Sequence, residues 1–305
     1  MTNASPHTTW RNSLLHWTRG GVAYLSVIFT WHLPDALRWA AFYRSQGLHV
    51  RAGGPAVSLN PDFLAGTAHE IGGHLPTLHR HNPDATFTSR GCPNKCKFCA
   101  VPKIEGPLVE LADWEPRPIV CDNNVTACSK AHFDDVVDRL KHVPGVDFNQ
   151  GLDARLLTDH HAQRLAELDI FKVRLAWDHT RDEQHVYDAI MRLRRAGIGK
   201  KAIGVYVLVG FDDTPADARY RCETLKRKWG IDPRPMRFQP LDTMQKNSYV
   251  HPAWTDEELR RLVRYWWHTR FVGGIPYDDY RPYHPRHGHA KQVQHATNLP
   301  LEVPG

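Results

Sequence analysis

Three cysteines within eight residues constrain this chain more than any other feature of its sequence. Cys92, Cys96 and Cys99 have the spacing CxxxCxxC and follow the stretch "ATFTSRG", which predicts a strand leading into a loop. Three thiolates from one short loop can bind three corners of an iron–sulfur cubane, and the fourth iron then has no protein ligand. A metal with an open coordination position is a reaction site. We therefore predict a 4Fe-4S cluster bound by these three cysteines.

Zinc is the competing interpretation of these thiols. Structural zinc sites usually combine two ligand pairs, and no second pair with that spacing occurs in the sequence. The stretch "HEIGGH", from His69 to His74, places its histidines five residues apart with two glycines between them, unlike the continuous helical face of an HExxH site. Cys121, Cys128 and Cys222 are scattered, and Cys222 lies on the apolar stripe of a predicted helix. We expect a single cluster and a core position for Cys222.

Composition and charge indicate a globular protein of a reducing compartment. With 305 residues, 41% of them hydrophobic, the chain can bury a large core. No apolar run reaches the roughly 18 residues that span a bilayer, and the polar N-terminus lacks the order of a secretory signal. We therefore expect a cytoplasmic protein with no membrane partner. A net charge of +6 favours anionic partners, such as nucleic acid, phosphorylated metabolites or an anionic cofactor.

Strand-like and helix-like stretches alternate along the chain, which indicates an α/β fold with parallel strands and crossover helices. In residues 1–80, a strand in "VAYLSVIFTW", a helix in "PDALRWAAFYRSQG" and a strand in "HVRAGGPAV" predict a small Rossmann-like region. Residues 81–242 contain six strand candidates, "ATFTS", "PIVCD", "VDFNQ", "FKVRLAW", "AIGVYVLVG" and "MRFQPL", which predict a partial (βα)6 barrel. For residues 243–305 we expect a helical extension, "TDEELRRLVRYWW", and a loosely held tail from Arg281.

Capping signals mark three of the predicted helices. Ser129 precedes an amphipathic stretch that places Phe133 on its apolar face. Thr214, followed by a proline, opens a second helix that should stop at Gly230. Thr255 begins a capping box at the start of the helical extension.

The cysteine loop resembles the signature of a known superfamily. Phe98 stands directly before the last cysteine, so the loop is CxxxCxφC, which is similar to the motif of radical S-adenosylmethionine (radical SAM) enzymes. The order of strand, cysteine loop and five further βα units, from Asp84 to Asp242, resembles that superfamily's partial barrel. The resemblance implies a cluster whose open iron binds SAM and donates one electron to split its sulfonium bond. It further implies a 5′-deoxyadenosyl radical that abstracts hydrogen from a substrate, an electron donor such as a flavodoxin or ferredoxin, and a cofactor contact from Phe98.

The resemblance also points to candidate SAM contacts after the second barrel strand. Members of the superfamily carry a Gly-Gly-Glu-like patch there, which meets the methionine amino group. This chain has "CDNN" instead, so Asp122, Asn123 and Asn124 would have to serve. A carboxylate and two amides can accept hydrogen bonds from an ammonium group, so the chemistry survives the departure from the family's pattern.

The end of the third barrel strand is polar where a buried strand should be apolar. Asn149, Gln150, Asp153 and Arg155 cluster in "FNQGLDARLL", which suits the ribose and carboxylate groups of SAM. The alternative is a turn that uses asparagine, glycine and aspartate for backbone reasons.

Two further positions are candidate SAM contacts. Arg174 lies in an otherwise apolar strand and needs a partner if it points into the barrel, where it could bind the SAM carboxylate; the alternative is that it faces solvent. Gly210, at the end of the fifth strand, could let the backbone approach adenine, or it could form a simple strand-ending turn.

Residues 1–80 resemble the truncated Rossmann-like domain that precedes the barrel in cobalamin-dependent radical SAM enzymes, through "LSVIFTWHLP" and "GGPAV". The Asp-x-His-x-x-Gly motif of base-off cobalamin binding is missing, and we expect no cobalamin. Methylthio-transfer enzymes acting on tRNA carry a second cluster in their N-terminal domain. No cysteine precedes Cys92, which argues against that group.

Two functions from different classes remain open from the sequence. The first is a radical SAM enzyme that acts on an unidentified, anionic substrate, with a nucleotide or nucleic-acid base as one candidate. The second is a non-catalytic iron–sulfur or zinc protein that binds nucleic acid through its basic surface. The sequence identifies no catalytic residue beyond the cluster ligands.

Overall fold

A computed structural model describes residues 11–72, 77–267 and 275–281 of the chain. The strands are β1 Leu14–Arg19, β2 Val22–Val27, β3 His49–Gly53, β4 Glu70–Ile71, β5 Ala85–Thr86, β6 Ser89–Arg90, β7 Val109–Glu110, β8 Ile119–Val120, β9 Val146–Leu152, β10 Ile170–Ala176, β11 Ile203–Val209 and β12 Asp232–Arg237. The α-helices are α1 Leu33–Ser45, α2 Pro55–Leu59, α3 Leu78–His81, α4 Val101–Ile104, α5 Lys130–Leu140, α6 Asp159–Leu165, α7 Glu183–Arg195, α8 Pro215–Glu223 and α9 Asp256–Trp267.

The first four strands form one sheet in the order β1-β2-β3-β4. β2, β3 and β4 are parallel, and α1 connects β2 to β3, whereas β1 pairs antiparallel with β2. Sequence reasoning missed β1, because its alternation of apolar and polar residues is short. The predicted strand in "VAYLSVIFTW" ends early, at Val27, where the chain turns into α1. The prediction for "HVRAGGPAV" was wrong beyond Gly53, because Pro55 starts the short helix α2 and proline suits a first helical position.

The second sheet has six parallel strands in the order β12-β11-β10-β9-β8-β5. Helices α5, α6, α7 and α8 connect its successive strands from β8 onwards, so the predicted α/β fold with a parallel sheet is confirmed. Closure of this sheet into a partial barrel stays a prediction. The sixth strand lies earlier than predicted: β12 covers 232–237, and "FQPL" follows its end. Pro233 and Pro235 in β12 obscured the strand in the sequence, although proline is compatible with a strand at the edge of a sheet.

The predicted helix caps are present. The Ser129 hydroxyl accepts from the His132 N–H at 3.2 Å, and the helix that it caps buries Phe133. Thr214 forms a capping box with Asp217, and the helix continues from α8 as a π-helical turn, Thr224–Trp229, before ending at Gly230. The Thr255 hydroxyl donates to the Glu258 carboxylate at 2.7 Å and accepts from its N–H at 3.2 Å.

The two larger sheets each have an apolar core; β6 and β7 form a separate antiparallel pair, and Ala85, Ile119 and Cys121 form a third, small cluster. Residues from β2, β3 and α1 pack into one cluster, and residues from the six-stranded sheet, its helices and α9 form a second, larger one. Cys222 is fully buried in the larger cluster, which confirms the prediction of a core position. Within the part of the chain that the structure describes, none of the helices has the length and apolarity needed to cross a lipid bilayer. The predicted tail after Arg281 lies outside the described residues.

A buried arginine joins the carboxyl ends of two central strands. Arg221, on α8, has no exposed surface. Its Nη1 donates to the carbonyl oxygens of Trp177 at 2.8 Å, Asp178 at 2.9 Å and Leu208 at 3.0 Å. Its Nη2 pairs with the carboxylate of Asp213. The guanidinium thus satisfies acceptors from the ends of β10 and β11 and from the loop before α8.

We expect Arg221→Leu to destabilise the protein by about 3–5 kcal/mol, because the substitution leaves the buried Asp213 carboxylate without its cation. Urea denaturation followed by circular dichroism measures the change. Arg227→Ala is the matched control, since Arg227 lies on the same helix with 59% of its side chain exposed; it should change the free energy of unfolding by less than about 0.5 kcal/mol. Equal stabilities of the two variants would contradict the role assigned to Arg221.

Candidate functional site

A cavity of about 460 Å³ lies at the carboxyl ends of the parallel strands. Its wall comes from the cysteine loop and from the segments that end or follow β8, β9, β10 and β11. Cys92, Cys96 and Cys99 all line it, and each is half-buried. The sheet therefore brings the three thiols to the edge where ligands of parallel α/β sheets usually bind.

Gly91 fixes the entry of the cysteine loop. It has a φ of 73°, a left-handed conformation that suits glycine. A Cβ atom at this position would lie 2.0 Å from the carbonyl oxygen of Pro107. The next residue, Cys92, donates its N–H to the carbonyl oxygen of Gly106 at 3.2 Å. Close packing of the two backbone segments therefore sets the position of the first thiol.

Glu105 holds this loop against the end of β8, and sequence reasoning did not single it out. One carboxylate oxygen accepts from Arg90 Nη2 at 2.7 Å. The other accepts from the Gly91 N–H at 2.8 Å and from Asn123 Nδ2 at 2.7 Å. Only 14% of the Glu105 side chain is exposed. The signal in the sequence was a lone acid six residues after the last cysteine, which no spacing rule distinguishes.

The three residues of "DNN" do not share one role. Asp122 is buried and does not line the cavity; its carboxylate accepts from the Thr88 N–H at 2.6 Å, the Ser89 hydroxyl at 2.8 Å and the Thr88 hydroxyl. The chain just before the cysteine loop occupies the oxygens of Asp122, so the structure does not bring this predicted SAM contact to the cavity wall. Asn123 and Asn124 line the cavity, and Asn124 Nδ2 lies 3.8 Å from Cys92 Sγ.

Asp153 and Arg155 line the cavity as a paired unit. Arg155 Nε and Nη2 donate to the two carboxylate oxygens of Asp153 at 2.8 Å and 2.7 Å. Asn94, within the cysteine loop, donates to the same carboxylate at 2.9 Å. Burial alone would raise the pKa of Asp153, but the hydrogen bonds from Arg155 and Asn94 outweigh it and hold the pKa below its ordinary value. Asp153 is therefore ionised at neutral pH and links β9 to the cysteine loop.

The other two predicted residues of this strand do not line the cavity. The carbonyl oxygen of Asn149 accepts from the Tyr206 hydroxyl at 3.1 Å, and Gln150 is exposed. β9 extends to Leu152 through this polar stretch, with register irregularities against β10. The structure therefore does not place Asn149 and Gln150 in the cavity with the three thiols. Strand alternation and the irregular register of β9 against β10 set the direction of these side chains.

Arg174 and Gly210 are also absent from the cavity wall. Arg174 pairs with Asp147 on the neighbouring strand and donates to the Phe148 carbonyl at 3.2 Å, which gives it the partner that an arginine in an apolar strand needs; its contact with SAM stays a prediction. Gly210 has a φ of 78°, and an added Cβ would lie 2.9 Å from a Leu259 methyl group. Its N–H donates to Asp213 at 2.8 Å. The structure thus shows the strand-ending turn, packed on α9.

The segment after β10 contributes several cavity residues that sequence reasoning missed. Asp178 is the most perturbed of them, because burial raises its pKa to about 6. His179, Arg181, Asp182 and His185 follow on the same side of the cavity. The signal was present as "DHTRDEQH", a polar run directly after an apolar strand.

The chemistry of the three thiols is compatible with metal binding. Burial raises the pKa of the Cys96 and Cys99 thiols, so metal binding at neutral pH would release their protons. In residues 11–72, 77–267 and 275–281, no three His, Cys, Asp or Glu side chains are arranged to hold one metal ion. A cubane does not need that arrangement, because each thiolate binds a different iron. Phe98 adds an apolar patch, with its ring 5.5 Å from that of Phe211, which also lines the cavity.

Comparisons with known proteins bear on the fold. No protein-family model and no curated protein matches the chain. Among solved structures it is similar to the radical S-adenosylmethionine methyltransferase TsrM from Kitasatospora setae, which was solved with cobalamin and a [4Fe-4S] cluster bound. The TM-score is 0.53 and the sequence identity is 11%. The chain has a radical SAM-like fold.

The likeness covers most of this chain but less than two thirds of the neighbour. It covers 72% of this chain, which exceeds the 159 residues from Asp84 to Asp242, so it extends beyond the predicted barrel. It covers 63% of the neighbour, so the chain spans less than two thirds of that protein's length. At 11% identity the likeness shows the fold alone, and the chemistry has to be argued from the cavity.

We expect Gly91→Ala to abolish cluster binding, because its Cβ would collide with the Pro107 carbonyl oxygen and displace Cys92. Iron and sulfide analysis after anaerobic reconstitution measures this effect. Gly106→Ala is the matched control: Gly106 has a φ of 75° and open space around its Cβ position. It should cost about 1–2 kcal/mol in stability from the left-handed backbone and keep the cluster. Full iron content in Gly91→Ala would contradict the packing argument.

Proposed function

We propose that this chain is a radical SAM enzyme that binds a 4Fe-4S cluster through Cys92, Cys96 and Cys99. The supporting observation is that these thiols line one cavity at the carboxyl ends of a parallel sheet whose fold is radical SAM-like. The donor set fits the cluster, because three thiolates satisfy three irons and no fourth cysteine lines the cavity. When bound, the cluster would supply the electron for reductive cleavage of SAM and so generate a 5′-deoxyadenosyl radical.

The chain's own residues would bind and orient the cofactor. Asn123 and Asn124 lie beside Cys92 and offer amide oxygens and N–H groups at the side of the cavity where the first thiol stands. The paired carboxylate of Asp153 and guanidinium of Arg155 present a fixed acceptor and donor set to hydroxyl and carboxylate groups. Phe98 provides an apolar surface that helps to exclude water.

The proposal includes the division of the chain into three regions that the sequence predicts. Residues 1–80 would form a Rossmann-like region, residues 81–242 a partial (βα)6 barrel, and residues 243–305 a helical extension. An external electron donor, such as a flavodoxin or ferredoxin, would reduce the cluster. The substrate and the final reaction stay unidentified, with a nucleotide or nucleic-acid base as the candidate that we carry forward.

Our expectation that this chain binds no cobalamin rests on its sequence and not on its fold. TsrM was solved with cobalamin bound, so the structural likeness gives no support to our expectation that this chain binds none. That expectation rests on the missing Asp-x-His-x-x-Gly motif alone. Absorbance spectra of protein purified with and without added hydroxocobalamin decide it.

We expect anaerobically purified protein to contain about four irons per chain, as one cubane, and to lose them when Cys92, Cys96 or Cys99 is replaced by alanine. Iron analysis and electron paramagnetic resonance of the reduced protein measure this. Cys128→Ala is the matched control, because Cys128 is a buried thiol that does not line the cavity. Stoichiometric zinc without iron in the wild-type protein would disprove the proposal.

We expect Asn123→Ala and Asp153→Ala to keep the iron and to weaken SAM binding by about ten- to a hundredfold, since a hydrogen bond to a charged group is worth roughly 1.5–3 kcal/mol. Calorimetric titration of the reconstituted variants with SAM measures the affinity, and formation of 5′-deoxyadenosine should slow in parallel. Gln150→Ala, next to the same strand end but outside the cavity wall, should bind SAM like the wild type. Wild-type affinity in both cavity variants would place SAM elsewhere.

A further inference from the structure

A layered stack of two arginines and two aromatic rings stands on the four-stranded sheet. Trp17 on β1 and Tyr24 on β2 are directly opposite each other, with their rings stacked at 5.1 Å and 7°. The Arg80 guanidinium lies 4.3 Å from the centre of the Trp17 ring. Because Tyr24 occupies one face of the indole, the guanidinium must lie on the other. Arg51, on β3 beside Tyr24, lies 5.9 Å from the phenol ring.

This stack is on the sheet face opposite to α1. Along β2, Ala23 and Leu25 alternate with Tyr24 and are buried in the core that contains α1. Tyr24 and Trp17 are half-buried, and Arg80 is exposed. The segment before β5 covers one end of this face, where the Ser26 hydroxyl contacts His81 Nε2 at 2.9 Å. The remainder carries two large aromatic rings that form a cross-strand pair outside the apolar core, with one ring face covered by a guanidinium.

The charges around the stack are predominantly positive. Arg19, Arg51 and Arg80 lie on or beside this face, whereas Arg38 and Arg44 belong to α1 on the opposite side of the sheet. Arg19 is exposed on the same face, opposite Val22. Glu70 is the acid on this face, where it pairs with Arg51 at 2.7 Å and with His49 at 2.9 Å. Arg19 and Arg80 have no acidic partner among the described residues, so the face presents an excess of guanidinium donors.

A guanidinium stacked on an indole is well suited to a phosphate or a base. Stacking fixes its plane and leaves its N–H donors in that plane free for phosphate oxygens. Its outer face can take an unpaired base, since bases stack on arginine planes as they do on aromatic rings. A duplex offers phosphates but keeps its bases paired. Unpaired bases joined by phosphates are the ordinary state of RNA loops and ends.

We propose that the Arg80–Trp17–Tyr24–Arg51 stack is a binding site for single-stranded RNA. A base extends the stack over Arg80, and the flanking phosphates meet Arg19 and Arg80. The site is independent of the cysteine loop and does not require the proposed radical SAM chemistry. If both proposals hold, the stack delivers a nucleic-acid substrate to the enzyme.

Fluorescence anisotropy of the full chain with a labelled 12-nucleotide RNA tests this site. We expect binding to weaken about tenfold in Trp17→Leu, because the indole that fixes the plane of the Arg80 guanidinium is lost while an apolar side chain stays on the sheet, and to weaken less in Tyr24→Leu, whose ring contacts Trp17 and not Arg80. Arg80→Gln should weaken binding and reduce the slope of log affinity against log salt by about 0.7, the loss of one phosphate contact on a single strand. Circular dichroism confirms that each variant is folded.

The control variants are Phe42→Leu and Arg38→Gln, which change exposed residues of α1. They should bind RNA like the wild type, and so should Cys92→Ala, which separates this site from the cluster. Equal effects of the control and stack variants would overturn the proposal. So would equal affinity for duplex RNA, tighter binding of single-stranded DNA of the same sequence, or equally effective competition by polyglutamate, each of which assigns the face to a different partner.

Discussion

The positively charged side chain of Arg221, which has no contact with solvent, fixes part of the backbone that lines the cavity. Arg221 is fully buried, and burial of a guanidinium is tolerated only when its donors are satisfied. Three carbonyl oxygens and the Asp213 carboxylate satisfy them, and Trp254 Nε1 donates to the Asp213 carbonyl at 2.9 Å. The same contacts fix the backbone of Asp178 and Leu208, which line the cavity. The segment before α9, α8 and two strand ends are thereby joined.

One buried and one largely buried carboxylate stabilise the cysteine loop on the other side of the cavity. Asp122 binds the backbone just before the cysteine loop, and Glu105 binds the loop's first glycine together with Asn123. Each acid accepts several hydrogen bonds, which offset the cost of burying its charge. The loop is therefore held from its start, at Thr88, and from its end, at Glu105. A loop held in this way would lose little conformational entropy when its three thiols bind a cluster.

The two sheets present different chemistry to their ligands. The cavity at the six-stranded sheet combines thiols, amides and a paired carboxylate, which suits a metal cluster and a polar cofactor. The face of the four-stranded sheet combines stacked rings with arginines, two of which have no acidic partner among the described residues, and this suits unpaired bases and phosphates. If both proposals hold, affinity for the substrate and its chemistry depend on separate residues, on separate sheets.

The sequence by itself determined the alternation of strands and helices and the helix caps, because these depend on residue type and short spacing. The proposal that Cys92, Cys96 and Cys99 bind a cluster likewise rests on their spacing within one loop. Only the tertiary structure decided which polar residues face the cavity. It turned Asp122 and Arg174 toward buried partners and brought Asp178 to the wall. Side-chain direction at the end of a strand depends on register, on irregular pairing and on neighbouring strands far away in the chain, which no local pattern encodes.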